Sequence, residues 1–518
     1  MKSPFGDGRG ILRAILPLAL VCLGALALRL WGLTRQSLWE DELFSVKYAG
    51  IDAPLTWGGL RVNLHGPLHA AFLYLWCSLF GWSELALRLP QALVSAASVA
   101  VLFRVARPVF GEGRALAGAI ALAINPFHIW YAQEVRNYAF VMLFTLLAIG
   151  AIQRLDRTGR FASVPALAAS WVGGLLCNLS FVSHIVAAGL WGLNRFWRRR
   201  EALVSLVISG VLTAVALLPW GIGFYRNRVA SSYLLKLEAV PEEERLRGEA
   251  TAPVLGIPYA AYAFSVGYSL GPSIRELRRA PTMEALAGHP IAIASTAVCF
   301  GVLAVAGLAS WLRRDGGRRL WLLALLLPLL LAFFGATRNV KVFNPRYAAA
   351  ALPAYVMLLV EGAAALRPRT IGLLVAGGAV VLSGMSCIQL QTQPRYWKED
   401  ARAATRVLKG ELAAGDLIIV VGTWDPLYRY YWREVREEAG IRRYIVPHRI
   451  GPEVEGKGEE ALGAIRSARR TYVLFYRDDF DDPAGKWEAF LKSRFPIEQT
   501  WEFPGVRIWR LGAGETTA

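Results

Sequence analysis

Residues 291–312 read IAIASTAVCFGVLAVAGLASWL, an apolar run of 22 residues without a charge. Crossing about 30 Å of hydrocarbon takes roughly 20 such residues in a helix. Lipid offers no water to backbone amides, so the run must satisfy them internally, as a helix does. Comparable runs occupy 11–30, 203–220, 320–334 and 371–390. Hydrophobic residues make up 55% of the 518-residue chain, and they are gathered into runs that an ordinary soluble domain lacks. The expected fold is a polytopic all-α membrane protein.

Charge sets the expected topology. Lysine and arginine total 57 against 39 acids, a net charge of +18. In a soluble chain that excess would suggest nucleic acid. Here it sits in short loops between apolar runs, which is the pattern of cytoplasmic loops. Five such loops stand out: Arg104 to Arg114, Arg154 to Arg160, Arg195 to Arg200, Arg313 to Arg319, and Arg367-Pro368-Arg369. Placing all five inside leaves residues 68–80 surplus as a span. That stretch is short and starts at Gly66-Pro67, so it is assigned to an interfacial helix, and about 11 spans remain. Residues 34–88, 128–137, 225–288, the turn at 337–346 and everything after 391 then face outward. Lys2, Arg9 and Arg13 precede a run that loosely imitates a signal peptide, but its length favours an uncleaved first span. The five cysteines all lie in apolar segments without metal-ligand spacing, and they read as small core residues.

Residues 391–518 contain no membrane run. Strand-like segments at 416–421, 441–446, 471–476 and 506–511 alternate with helix-like segments after Asp425-Pro426 and at 459–468 and 486–494. The tail is expected to be a soluble α/β domain. It has no Gly-x-Gly-x-x-Gly and no Walker loop, so no nucleotide is expected.

The external face collects the polar chemistry. Leu38-Trp39-Glu40-Asp41-Glu42-Leu43 puts three carboxylates just past the first run, and Trp130-Tyr131-Ala132-Gln133-Glu134-Val135-Arg136-Asn137-Tyr138 puts another between two later runs. Around them lie Asn63, His65 and His69, His184, and the cations Arg338, Lys341 and Arg346. Charges beside spans are as often solvated or snorkelling as functional. Basic residues outside nevertheless run against the positive-inside trend, and Arg346, directly before a span, suits a phosphate at headgroup depth. A carboxylate can accept the proton of an attacking hydroxyl, while arginine, lysine or a divalent cation stabilises a leaving phosphate. His65 and His69 stand i, i+4, but the intervening Gly-Pro argues against a helical metal pair. His184 is either a ligand or a polar group between helices.

In these motifs the chain resembles the GT-C superfamily of membrane glycosyltransferases, in the bacterial branch similar to protein O-mannosyltransferases and lipid A aminoarabinose transferases. Ser37 to Glu42 resembles the first-loop Asp-Glu motif, and Trp130 to Tyr138 the Tyr-Ala-Gln-Glu-x-Arg-x-Tyr loop. His65-Gly66-Pro67-Leu68 with Leu85 to Pro90 resembles the His-Pro-Pro-Leu and Arg-Leu-Pro segments, with Gly66 in place of the first proline. Pro345-Arg346-Tyr347 resembles the late Arg-Tyr motif, and Tyr396 to Asp400 the juncture before the tail. The likeness covers residues 1–390, with the tail at 391–518 matching more loosely. It implies a sugar donor linked to polyprenyl phosphate and a lipid, polysaccharide or protein acceptor, used outside the cytoplasmic membrane. It makes Asp41 the general base, Glu42 its support, and Glu134 a second acid for the acceptor or, with His184, for a divalent cation. Arg346 would hold the donor phosphate, with Lys341, Arg136 and His65 as further candidates. A transporter, a polymerase or ligase using lipid-pyrophosphate glycans, and a non-catalytic assembly protein are the rival readings. A transporter would place its charges near mid-membrane, commonly within inverted repeats, neither of which the sequence displays.

Overall fold

The computed structural model describes residues 8–62, 66–231, 255–279, 282–313, 317–337, 343–422, 425–433, 442–445, 454–478, 482 and 485–512. The chain divides into two compact units, Met1–Leu33 with Leu55–Thr392, and Thr34–Pro54 with Gln393–Ala518. The grouping of residues 34–54 with the tail was not legible in the sequence.

Among its described residues the first unit contains helices and no strand. Seven helices are long and apolar enough to cross a membrane: Glu84–Phe110, Tyr138–Thr158, Arg200–Gly223, Pro290–Leu312, Arg318–Thr337, Pro345–Ala365 and Arg369–Thr392. Glu112–Ala123 and Pro126–Ala132 form an eighth if counted as one span bent by 56°. Leu16–Leu30, Pro67–Phe80 and Phe161–Cys177 are shorter apolar helices. The 14-residue helix Pro67–Phe80 occupies the stretch that charge parity leaves surplus.

The starts of these helices are written locally. Proline supplies the first turn at Pro67, Pro126, Pro290 and Pro345. Ser83 Oγ caps the amide of Ala86, and Asn125 Oδ1 caps that of His128. Lipid tails are as apolar as leucine, so helices in a membrane associate by close packing rather than by hydrophobic burial. Gly307 and Gly362 show this. A side chain at either would run into a backbone carbonyl, of Leu358 and Leu303 respectively, across the pair Pro290–Leu312 and Leu352–Ala365.

The second unit holds a five-stranded sheet. Its strands are β1 (Leu417–Gly422), β2 (Arg442–Ile445), β3 (Thr471–Tyr476), β4 (Ile497–Phe503) and β5 (Val506–Leu511), in spatial order β2-β1-β3-β5-β4. β1 pairs in parallel with β2 and β3, and β5 runs antiparallel to β3 and β4. β1 and β3 are buried along their whole length, as continuous apolar strands require. Leu462, Trp487 and Leu491 from the helices share the sheet's core with Trp509 of β5.

One ion-pair cluster in this unit makes its stability pH-dependent. Arg507 donates to Glu488 at 2.7 Å and to Asp478 at 2.6 Å, and Lys492 donates to Glu488 at 2.8 Å. Arg507, followed by Lys492, holds the Glu488 carboxyl down to about 2. A depressed carboxyl stabilises the fold above its unfolded value of about 4.3, and that contribution is lost as pH falls toward the folded value. The thermal midpoint of Glu488→Gln is therefore expected to lie below the parent's at pH 6, and the gap to close between about pH 4.5 and 2. A gap that does not change over that range would contradict the assignment.

Candidate active site

The loop carrying Glu134 follows the short helix Pro126–Ala132, which is set off from Glu112–Ala123 by a bend. A helix end leaves carbonyls without partners, which is costly inside a membrane. Arg29, fully buried on the first helix, takes them: its guanidinium donates to the carbonyls of Ala123 at 2.9 Å and Leu122 at 3.2 Å. It also reaches Ser95 Oγ and His128 Nδ1, each at 2.7 Å. Gln133 continues the anchoring. Its amide donates to the carbonyls of Arg29 at 3.0 Å and Trp31 at 2.8 Å, and its oxygen accepts from Gln391 at 3.0 Å.

Glu134 follows, 1% exposed, with Oε1 accepting from Trp130 Nε1 at 3.0 Å. Trp130 packs edge-on against Tyr268, whose hydroxyl meets that of Tyr131 at 3.0 Å. Arg136 is buried, with its guanidinium 6.0 Å from the Tyr138 ring. Its charge also bears on His69, which burial and then Arg136 push down to about 3. His69 is thus a neutral ring; it is held by Gln91 at 3.0 Å and stacks edge-on against Phe140.

The next residue, Asn137, joins this loop to two others. It donates to the carbonyl of Cys177 and accepts from Asn178 Nδ2 at 3.2 Å. Gly66 closes the junction. Its φ is +99°, and a Cβ there would strike the Cys177 carbonyl oxygen and come within 2.8 Å of Asn137 Nδ2. That contact accounts for glycine at this point of the His-Gly-Pro-Leu segment, since a proline has neither the room nor the permitted φ. Asn178 leads into the turn Leu179–Phe181, which packs against the 3-10 segment Pro345–Ala351. Arg346 lies in that segment, half-buried, its amide capped by Asn344 Oδ1 at 3.0 Å and its guanidinium 5.5 Å from the Tyr347 ring.

His184 is fully buried beside Phe181 and, among the described residues, neither ring nitrogen has a hydrogen-bond partner. No group of three His, Cys, Asp or Glu side chains among the described residues is placed to hold a metal. Among the described residues, neither Glu134 nor His184 is part of a metal-holding group. His65 and Lys341 lie outside the described residues. Arg88, from the Arg-Leu-Pro segment, is buried and donates to the Leu33 carbonyl at 3.0 Å.

Asp41 and Glu42 belong to the second unit. They open the helix Glu40–Tyr48, whose first turn is acidic throughout, as the helix dipole favours. Glu42 is fully buried; it accepts from the Trp39 amide at 3.3 Å and faces Lys398 Nζ at 3.8 Å. Glu40 pairs with Arg477, which also lies 3.9 Å from Glu399. Tyr431 accepts the Leu38 amide at 2.7 Å, and Ser37 donates to the Glu399 carbonyl at 2.8 Å. Two of the three carboxylates thus fasten the motif to residues after 391. Asp41 between them is half-buried, and its carbonyl accepts from Ser45. Lys398, Glu399 and Arg477 were not legible as partners of this motif, because each lies more than 350 residues away in sequence. Arg29 did carry a signal in the sequence, since a charge within an apolar run is rarely idle.

Residues 64–222 match the family described as dolichyl-phosphate-mannose-protein mannosyltransferase. Over 148 residues the chain is 28% identical to the putative mannosyltransferase YycA of Bacillus subtilis, a match spanning 28% of this chain and 21% of that protein. The crystal structure of ArnT from Cupriavidus metallidurans in the apo state superposes with a TM-score of 0.58 at 14% identity, covering 97% of this chain and 98% of that one. The Archaeoglobus fulgidus oligosaccharyltransferase gives a TM-score of 0.51 at 11% identity, covering 96% and 74%. The chain is a membrane protein with the fold of ArnT, and over residues 64–222 it is similar to the dolichyl-phosphate-mannose-protein mannosyltransferases.

Proposed function

We propose that the protein transfers a sugar from a polyprenyl-phosphate carrier to an acceptor hydroxyl on the external face of the bacterial cytoplasmic membrane. In this reading about 11 spans cross the bilayer, and the C-terminal domain is external. The observation that carries the proposal is the family match. Residues 64–222, which supply Gly66, His69, Glu134, Arg136, Asn137 and Asn178, are matched by a family whose description names dolichyl-phosphate mannose, a polyprenyl-phosphate sugar.

The acceptor oxygen attacks the anomeric carbon, the bond from that carbon to the phosphate oxygen breaks, and polyprenyl phosphate leaves. Attack opposite the leaving group inverts the anomeric centre. Asp41 takes the acceptor's proton, and Glu42 holds the turn that presents it. Arg346 pairs with the donor phosphate, assisted by Arg136. Glu134, fixed by Trp130, orients the acceptor. The acceptor is a lipid, polysaccharide or protein.

Arg346→Ala is expected to weaken donor binding with little effect on folding, since a charge-assisted phosphate contact is worth roughly 1.5–3 kcal/mol, or about tenfold and more in affinity. Arg346→Lys should restore part of the loss, because lysine does not form the bidentate pair. The measurement is affinity for a polyprenyl-phosphate sugar by the folded variants. Parental affinity in Arg346→Ala would remove this residue from the donor site.

A further inference from the structure

The end of the helix Val182–Phe196 combines features that charge topology alone does not require. Val182, Val186, Leu190 and Leu193 are exposed at 48%, 40%, 52% and 44%. Their helical spacing places them on one face, a lipid-facing stripe. The stripe runs into an open concavity of about 550 Å³ lined by Leu193, Asn194, Arg195, Trp197 and Arg198. Trp197, one of its lining residues, is 73% exposed, as an interfacial tryptophan would be. Asp156 accepts from Arg195 Nε at 3.0 Å and from Arg199 at 2.8 Å, which fixes Arg195 in place. Among the described residues the terminal amino groups of Arg195 make no bond, and Arg198 forms no ion pair.

We infer that this concavity binds the phosphodiester headgroup of an anionic phospholipid from the leaflet on the basic-loop side, with an acyl chain along the Val182–Val186–Leu190–Leu193 stripe. Arginine pairs with a phosphodiester in bidentate fashion. The stripe supplies what a free phosphate has no use for. Basic pockets at the cytoplasmic ends of membrane helices commonly recognise such headgroups. The site shares no residue with the proposed active site and does not depend on the transferase reading.

The test is lipid retention by the detergent-purified full-length protein, measured by native mass spectrometry with phosphatidylglycerol or phosphatidylcholine added. Phosphatidylglycerol should be retained in preference to phosphatidylcholine. Each arginine near an anionic headgroup is worth about fivefold, so Arg198→Gln should lower retention about fivefold and Arg195→Gln with Arg198→Gln about twentyfold or more. Arg198→Gln removes no described contact, so the fold is preserved in at least that variant. The pair Arg367→Gln and Arg369→Gln removes the same charge elsewhere and should leave retention unchanged. Equal losses in that control, unchanged retention in the Arg198 variants, or equal retention of phosphatidylcholine would overturn the proposal. Displacement of the lipid by millimolar inorganic phosphate would assign the site to free phosphate and overturn it as well.

Discussion

Asp41→Asn is expected to lower sugar transfer by about 10²–10⁴-fold, the usual scale of general-base catalysis, while donor affinity stays at the parental level. The substitution is nearly isosteric and keeps the local hydrogen-bonding capacity, so the helix start should persist. Its neighbours have visible structural work: Glu42 caps the Trp39 amide and faces Lys398, and Glu40 pairs with Arg477. Glu42→Gln should therefore show chiefly as a lower thermal midpoint, because it weakens a buried charge pair. Asp41→Asn should show as lost turnover with an unchanged midpoint. The two readouts separate the roles. Near-parental single-turnover transfer by Asp41→Asn would reject the base assignment, and a midpoint loss matching that of Glu42→Gln would make Asp41 structural too.

Gly66→Ala should be strongly disruptive in the first unit. Alanine at φ +99° carries backbone strain of about 1–3 kcal/mol, and its methyl would also be driven into the Cys177 carbonyl and the Asn137 amide. Forcing a tight junction apart costs about a further 1–3 kcal/mol. Gly81 provides the comparison, with φ +81° and nothing within 4 Å of where a methyl would lie. Gly81→Ala should lose only the strain contribution. Thermal midpoints of the two variants in detergent check this. If Gly66→Ala were no worse than Gly81→Ala, the close junction of residues 66, 137 and 177 would be contradicted. Transfer should fall with Gly66→Ala, since the same junction ties the Glu134 loop to the turn that packs against the Arg346 segment.

The membrane fold was readable because the signal is physical and local. Uncharged runs such as 291–312 admit few structures other than a spanning helix, and Gly66-Pro67 marks the start of the short helix Pro67–Phe80 as proline at a first turn does. In the tail, β1 and β3 were legible as continuous apolar runs. β4 was missed: Ile497–Phe503 reads Ile-Glu-Gln-Thr-Trp-Glu-Phe and lies at the sheet edge with most of its side chains at least partly exposed. An edge strand needs little apolar surface and so leaves a weak pattern. The helix Ala401–Glu411 was also missed, although Asp400 caps its Ala403 amide at 3.1 Å.

For the site, the motif residues could be named from sequence but their partners could not. Glu42 and Lys398, or Glu40 and Arg477, are joined by tertiary structure alone. Placing Asp41 and Glu42 with the membrane part follows from their position in the chain, whereas these contacts group residues 34–54 with the tail. Arg29 illustrates a different gap. In sequence it is one charge at the end of a span, yet it satisfies the carbonyls freed by a bend that the sequence marks only with Asn125-Pro126.

The most direct test of the central claim is single-turnover transfer by the purified full-length protein, reconstituted with a polyprenyl-phosphate sugar and a panel of lipid, polysaccharide and protein acceptors. The expected result is one polyprenyl phosphate released for each sugar transferred, with the anomeric configuration inverted and the reaction lost in Asp41→Asn. Consumption of a lipid-pyrophosphate glycan with the monophosphate sugar left intact, or transfer that survives Asp41→Asn, would contradict it.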